Sequence, residues 1–224
     1  MTLKPVSLSE QIARHLAEQI ITGKREPGER LPESELAREL DVSTNSLREA
    51  FRLLEKQHLI DLQPRRGASV CDVTDQQVRD LYDFLFLLLS NLAGRTAKYW
   101  QPGEIEDLVQ MLPMLEEHYA NDDILSAHKV AFQLVEVATD RFAHNRYLAA
   151  DIRDLLPLLQ RYSYIALVNE TTEFHESLKS FRDLMTNVLA RDEAAAAADI
   201  RAYGDNQCKI VLEAIHKHRR SLEP

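Results

Sequence analysis

"DVSTNSLREAFRLLEKQHLIDLQPRRGASV", residues 41–70, decides the fold. Ser43 is of the type that caps a helix, and Leu47, Ala50, Phe51 and Leu54 follow at helical spacing on one face. Arg48, Arg52 and Lys56 recur along the same run. "LIDLQ" and "ASVCDV" are β-prone runs joined through Pro64-Arg65-Arg66-Gly67, which reads as a hairpin with a basic tip. Just upstream, "ESELAREL" (33–40) reads as a short helix with Leu36, Ala37 and Leu40 inward. Asp41 then sits at the turn, where a short polar residue adopts the left-handed backbone more readily than most. Two short helices meeting at Asp41, with a hairpin behind them, describe a winged helix-turn-helix.

That arrangement implies DNA. With Leu36, Val42, Leu47 and Ala50 locking the two helices together, Ser43, Thr44, Asn45, Ser46, Arg48 and Arg52 are the candidates to meet the major groove. The first turn of the second helix has no acid before Glu49, so its free N–H groups can meet a phosphate. Arg65, Arg66 and Gly67 form the wing tip, placed for backbone phosphate or the minor groove. A solvated basic face would explain the arginines one at a time, but not the cap, turn and basic hairpin in this order.

Outward from this stretch the charge is uneven. The chain has 224 residues and a formal net charge of −9, which by itself argues against a nucleic-acid binder. Through Val73 there are 11 Lys and Arg against 12 Asp and Glu; from Thr74 onward there are 16 against 24. The acidity lies in the C-terminal part and leaves the N-terminal part free to present a positive face. Cys71 and Cys208 have no metal spacing and are too few for a disulfide framework. No apolar leader opens the chain, and "FLFLLL" (84–89) is too short to span a bilayer. A cytoplasmic protein without membrane association is expected.

Ser7-Leu8-Ser9-Glu10 is a capping-box pattern opening a first helix with Leu8, Ile12, Leu16 and Ile20 at helical spacing, and "EPGERLP" (26–32) reads as a turn-rich connector. A second capping-box pattern at Thr74 opens a region with helical periodicity alone. Breaks at Pro102-Gly103, Asn121-Asp122, His144-Asn145, near Glu170-Thr171 and at Arg191-Asp192 divide it into six helices, with Pro113 and Pro157 expected to kink two of them. The expected fold is therefore mostly α: a winged helix-turn-helix over 1–73 and an all-α bundle over 74–224. No GxSxG elbow, phosphate loop or paired carboxylate supports an enzyme, and no cofactor is expected. The fragment "FHESL" (174–178) lacks an acidic partner four residues earlier, so His175 reads as a surface or interhelix histidine.

The PG-x-x-L opening, the ELA-x-x-L-x-VS turn, the L-R-E-A helix and the PRRG wing resemble the DNA-binding domain of GntR-family bacterial transcription regulators. The helical remainder resembles the FCD-type effector domain of the FadR subfamily. The resemblance implies a homodimer that binds a palindromic operator and changes its DNA affinity when a small molecule binds. Thr44 stands where most members carry a base-reading Arg. Many such effector domains hold a divalent metal on one Asp and three His. Those positions align here with His128, Phe132, Phe181 and Tyr203, and an aromatic ring cannot coordinate a metal as imidazole does. The Arg and Glu that often face the effector align with Phe86 and Ser90. A metal-free effector site on these six residues, receptive to an apolar or acyl-like ligand, is the expectation. Two alternatives stay open: a C-terminal domain used only for dimerisation, and a metal-dependent organic-acid sensor.

Overall fold

The structure is a computed structural model that describes residues 6–169 and 174–222, with the side chains of 169, 174–176, 218, 221 and 222 outside the description. The side chain of His175 and the break near Glu170-Thr171 therefore lie outside the description. The chain forms two compact units. One comprises the residues up to Thr74 together with Asp154–Tyr164, the other Asp75–Arg153 together with Ile165 onward.

In the first unit, α1 (Leu8–Ile21) starts at the capping box, with the Ser7 hydroxyl accepting from the Glu10 amide and the Glu10 carboxylate from the Ser7 amide. Ile12, Leu16 and Ile20 are buried, but Leu8 is exposed, because it occupies the first turn beyond the reach of the core. α2 (Glu33–Glu39) and α3 (Thr44–Lys56) are joined through Asp41, whose φ of +51° supplies the left-handed turn. Leu36, Leu47, Ala50, Phe51 and Leu54 form the apolar contact.

The hairpin is β2 (Ile60–Gln63) and β3 (Gly67–Val70), paired antiparallel with Gln63 opposite Gly67. The second run is shorter than its β-prone stretch. The connector 26–32 also contributes a strand that its turn chemistry conceals, β1 (Arg30–Leu31), which pairs with β3 and gives the order β1-β3-β2. The cause is the outer edge of β3, whose backbone groups need partners. The Gly28 amide donates to the Val70 carbonyl and the Val70 amide to the Glu29 carbonyl, each at 2.9 Å, with Gly28 at φ +76°. Two residues between prolines show no alternation to read.

The remaining helices are α4 (Asp75–Tyr99), α5 (Glu106–Ala120), α6 (Ile124–Phe142), α7 (Arg146–Asn169), α8 (Phe174–Leu189) and α9 (Glu193–Leu222). The breaks carry left-handed residues at Asp122, His144 and Arg191, and Gly103 likewise. α5 and α7 run through Pro113 and Pro157. A clasp closes the end of α4 on the α8–α9 turn. The Arg191 guanidinium lies 4.1 Å from the Trp100 ring centre and donates to the Lys98 and Trp100 carbonyls, while the Trp100 indole N–H donates to the Val188 carbonyl.

α4 and α9 pack closely because small residues face each other. A Cβ on Gly94 would meet the Glu193 carbonyl at 3.3 Å and the Ala197 methyl at 3.9 Å. A Cβ on Gly204 would sit 2.3 Å from the Phe86 ring, so the ring occupies the space that any other residue at 204 would fill. Gly204→Ala is expected to lower stability by about 1–3 kcal/mol, the usual cost of overpacking, despite the better helix propensity of Ala. Denaturant unfolding of the variant beside its parent measures it.

Candidate nucleic-acid interface and effector site

The surface begins at the α3 cap. The Ser43 hydroxyl accepts from the Ser46 amide at 3.0 Å and lies 2.9 Å from the Ser46 hydroxyl. These two predicted contact residues therefore first secure the start of the helix, satisfying one of its orphan amides. Thr44 and Asn45 are exposed beside them. Because Leu47, Ala50, Phe51 and Leu54 take the inner face, Arg48, Arg52 and Lys56 are left outside.

The three cations differ in what holds them. Arg48 Nε donates to a Glu33 carboxylate oxygen at 2.7 Å, a residue in the first turn of α2. Lys56 pairs with Asp154 at 2.8 Å. Among the described residues Arg52 has no ion-pair partner, and neither have Arg65 and Arg66 on the wing. At the tip, Arg65 (φ +66°) and Gly67 (φ +82°) take the left-handed conformation, and the Arg66 amide donates to the Gln63 carbonyl. That turn points both arginine side chains to solvent. Glu33 and Asp154 are partners that local pattern could not reveal, since each pair joins separate elements.

In the helical unit, three of the six predicted effector residues come together. Phe86 of α4 is buried and stacks on Tyr82 at 5.2 Å between ring centres, with 10° between the planes. Tyr203 of α9 tilts against Phe86 at 6.1 Å and against Phe181 of α8 at 5.6 Å. His128 and Phe132 form a separate pair within α6, at 4.7 Å. Ser90 donates its hydroxyl to the Leu87 carbonyl, one turn back on its own helix. Tyr203 thus touches both Phe86 and Phe181, so that rings from α4, α8 and α9 pack together.

Burial governs the titration of this region. It pushes the His128 imidazole down to about 4, so the ring is neutral near pH 7. It pushes the Tyr203 phenol up, against an opposing hydrogen bond from Ser177, and raises Tyr119 likewise with a smaller contribution from Tyr203. Both phenols are therefore protonated near neutral pH. The residues at the expected metal positions do not fit a divalent cation: two are phenylalanines, one is a half-buried phenol, and His128 stands with Phe132. Among the described residues no three His, Cys, Asp or Glu side chains converge. Beside Tyr203 a polar groove of about 400 Å³ runs between α8 and α9, lined by Ser177, Ser180, Asp183, Asp199, Asn206 and Gln207. Sequence reasoning had no signal for it, because its residues are ordinary polar positions of two separate helices.

Comparison with known proteins agrees with this geometry. The profile described as "Bacterial regulatory proteins, gntR family" matches residues 8–70, and the FCD domain profile matches residues 80–206. The chain is 28% identical over 220 residues to the HTH-type transcriptional regulator YdhC of Bacillus subtilis, covering 94% of this chain and 95% of that one. It is 29% identical over 223 residues to the galactonate operon transcriptional repressor of Escherichia coli, covering 96% of each. The solved structure of E. coli McbR/YncC superposes with a TM-score of 0.78 at 20% identity, over 93% of this chain and 98% of that one, a likeness of fold. No helix among the described residues is long and apolar enough to cross a membrane. A capped recognition helix and basic wing, joined to a helical domain of the effector-binding type, make this chain a DNA-binding transcription regulator of the gntR family, in its FadR-like, FCD-containing branch.

Proposed function

We propose that the protein is a homodimeric repressor that binds a palindromic operator through Thr44, Asn45, Arg48, Arg52, Arg65, Arg66 and the Gly67 turn, with Ser43 and Ser46 holding the helix start. The observation that carries the DNA surface is the set of arginines left outside by the buried face of α3 and raised on the wing tip. The proposed division is residues 1–73 for operator binding and 74–224 for dimerisation and effector binding. A repressor role is supported by relatives named as operon repressors, among them the gluconate repressor of B. subtilis at 26% identity over 183 residues.

Dimerisation follows from scale, since one recognition helix spans only a few base pairs. Phe84 and Leu87, 48% and 54% exposed, protrude from the outer face of α4. An isologous pairing of α4 with its copy would bury both. Leu87→Glu is expected to shift the chain from dimer to monomer at micromolar concentration, read by light scattering. A monomeric parent protein, with and without DNA, contradicts the dimer.

For the effector, the reading is a metal-free site centred on Phe86, Phe181 and Tyr203, with the Tyr203 hydroxyl as a polar contact, taking a ligand with an apolar, acyl-like body. Such a ligand displaces packed rings and gains about 25 cal/mol for each Å² of apolar surface it buries. Thermal-shift measurements with acyl compounds beside short organic acids test it, since a ligand of the native state raises the midpoint. Stabilisation by acyl compounds is expected. A response to short acids alone, or one bound transition metal per chain by elemental analysis, contradicts it.

The DNA surface has its own test, in fragments selected from randomised DNA. Arg48→Ala is expected to weaken specific binding by roughly 1–3 kcal/mol, the value of a good base contact. Arg65→Ala weakens all sequences alike and reduces the salt slope by about one, because it removes a phosphate contact. Fluorescence anisotropy titrations at several salt concentrations separate the two, and unchanged affinity in both variants would place the DNA elsewhere.

A further inference from the structure

Arg161, in the middle of α7, is 2% exposed. Its Nη2 donates to the Cys71 carbonyl at 2.8 Å, and its Nη1 has no hydrogen-bond partner. No ion pair is found for it among the described residues. Burial disfavours its charge, and Tyr162, Cys71 and Asp72 compensate only in part. A buried cation without a carboxylate destabilises a fold, and an apolar side chain of similar length would pack there without that penalty. What the guanidinium holds is therefore the informative point.

It holds the segment leaving the wing. Cys71 follows β3 directly, and its amide donates to the carbonyl of Leu59, which lies between α3 and β2. Two turns earlier on the same face of α7, Asp154 accepts from Lys56, the last residue of α3. Leu158, buried between them, completes the stripe. One face of α7 thus grips both the end of the recognition helix and the exit of the winged sheet. The middle of α7 belongs to the DNA-binding unit, whereas its two ends belong to the helical unit.

We propose that α7 orients the recognition helix for the operator, and that Asp154 and Arg161 are the positioning residues through which the helical unit acts on DNA affinity. This rests on the regulator reading and extends it to residues that touch neither DNA nor effector. An untethered recognition helix must be ordered when it binds, which weakens binding without altering any contact.

The test uses the full chain, a DNA fragment selected by the parent protein, anisotropy titration and thermal midpoints. Arg161→Met keeps length and packing while removing the charge. It is expected to weaken operator binding at least threefold with the midpoint unchanged or raised. Asp154→Asn gives the sharper sign. Removing an anion near DNA tightens binding by simple electrostatics, whereas loss of the tether weakens it, and at least a threefold weakening is expected. A loss below threefold in either variant, tighter binding, or a loss in Arg161→Met that accompanies a lowered midpoint overturns the proposal. A parent protein that selects no DNA sinks the regulator reading instead.

Discussion

The buried face of α3 is the constraint on which the DNA-binding half depends. Leu47, Ala50, Phe51 and Leu54 are sealed against α1 and α2, which fixes the rotation of the helix about its axis. Once that rotation is set, the exposed face has to carry everything else the helix presents. Arg48, Arg52 and Lys56 then stand in solvent without any further instruction. The cap at Ser43 sets where the helix starts and hence the height at which Thr44 and Asn45 stand. Two of the cations already have intramolecular carboxylates, so a phosphate approaching Arg48 competes with Glu33. Exposed pairs of this kind contribute about 0–1 kcal/mol, a small barrier beside the gain of a phosphate or base contact.

The helical half follows a different logic, in which ring packing across helices is the constraint. Phe86 can approach α9 this closely only because residue 204 has no side chain, so Phe86 and Gly204 form a matched pair across α4 and α9. Tyr203, next to that glycine, joins the ring stack on one side and lines the polar groove on the other. A ligand that moved its hydroxyl would also move rings in contact with α4 and α8. Phe86, Phe181, Tyr203 and Gly204 thus form a set of mutually dependent residues.

Local features were legible in the sequence. The caps at Ser7 and Ser43, the left-handed turn at Asp41, the basic hairpin and the helix breaks at Gly103, Asp122, His144 and Arg191 depend on neighbours within a few positions, so residue type and spacing reveal them. The outward placement of Arg48, Arg52, Arg65 and Arg66 was legible for the same reason, and the six effector positions came from resemblance, of which Phe86, Phe181 and Tyr203 meet in space. Long-range pairings were not legible. β1 is a strand only because β3 offers it an edge, and Glu33, Asp154 and Arg161 acquire their roles from residues 15, about 98 and 90 positions away. The groove between α8 and α9 belongs to the same class. Gly204 was visible as a glycine within a helix, yet its reason lies on α4.

Trp100 is the chain's one tryptophan, and it sits in the clasp between the end of α4 and the α8–α9 turn. Its indole is stacked under a guanidinium and bonded to a backbone carbonyl, so its surroundings are polar, ordered and specific to one joint. The DNA-binding half has no indole of its own. Ultraviolet emission excited at the red edge of the aromatic band therefore comes from the helical half alone. The protein thus carries a label-free optical gauge of that joint, one that stays silent about the recognition helix and separates rearrangement of the bundle from events at the DNA.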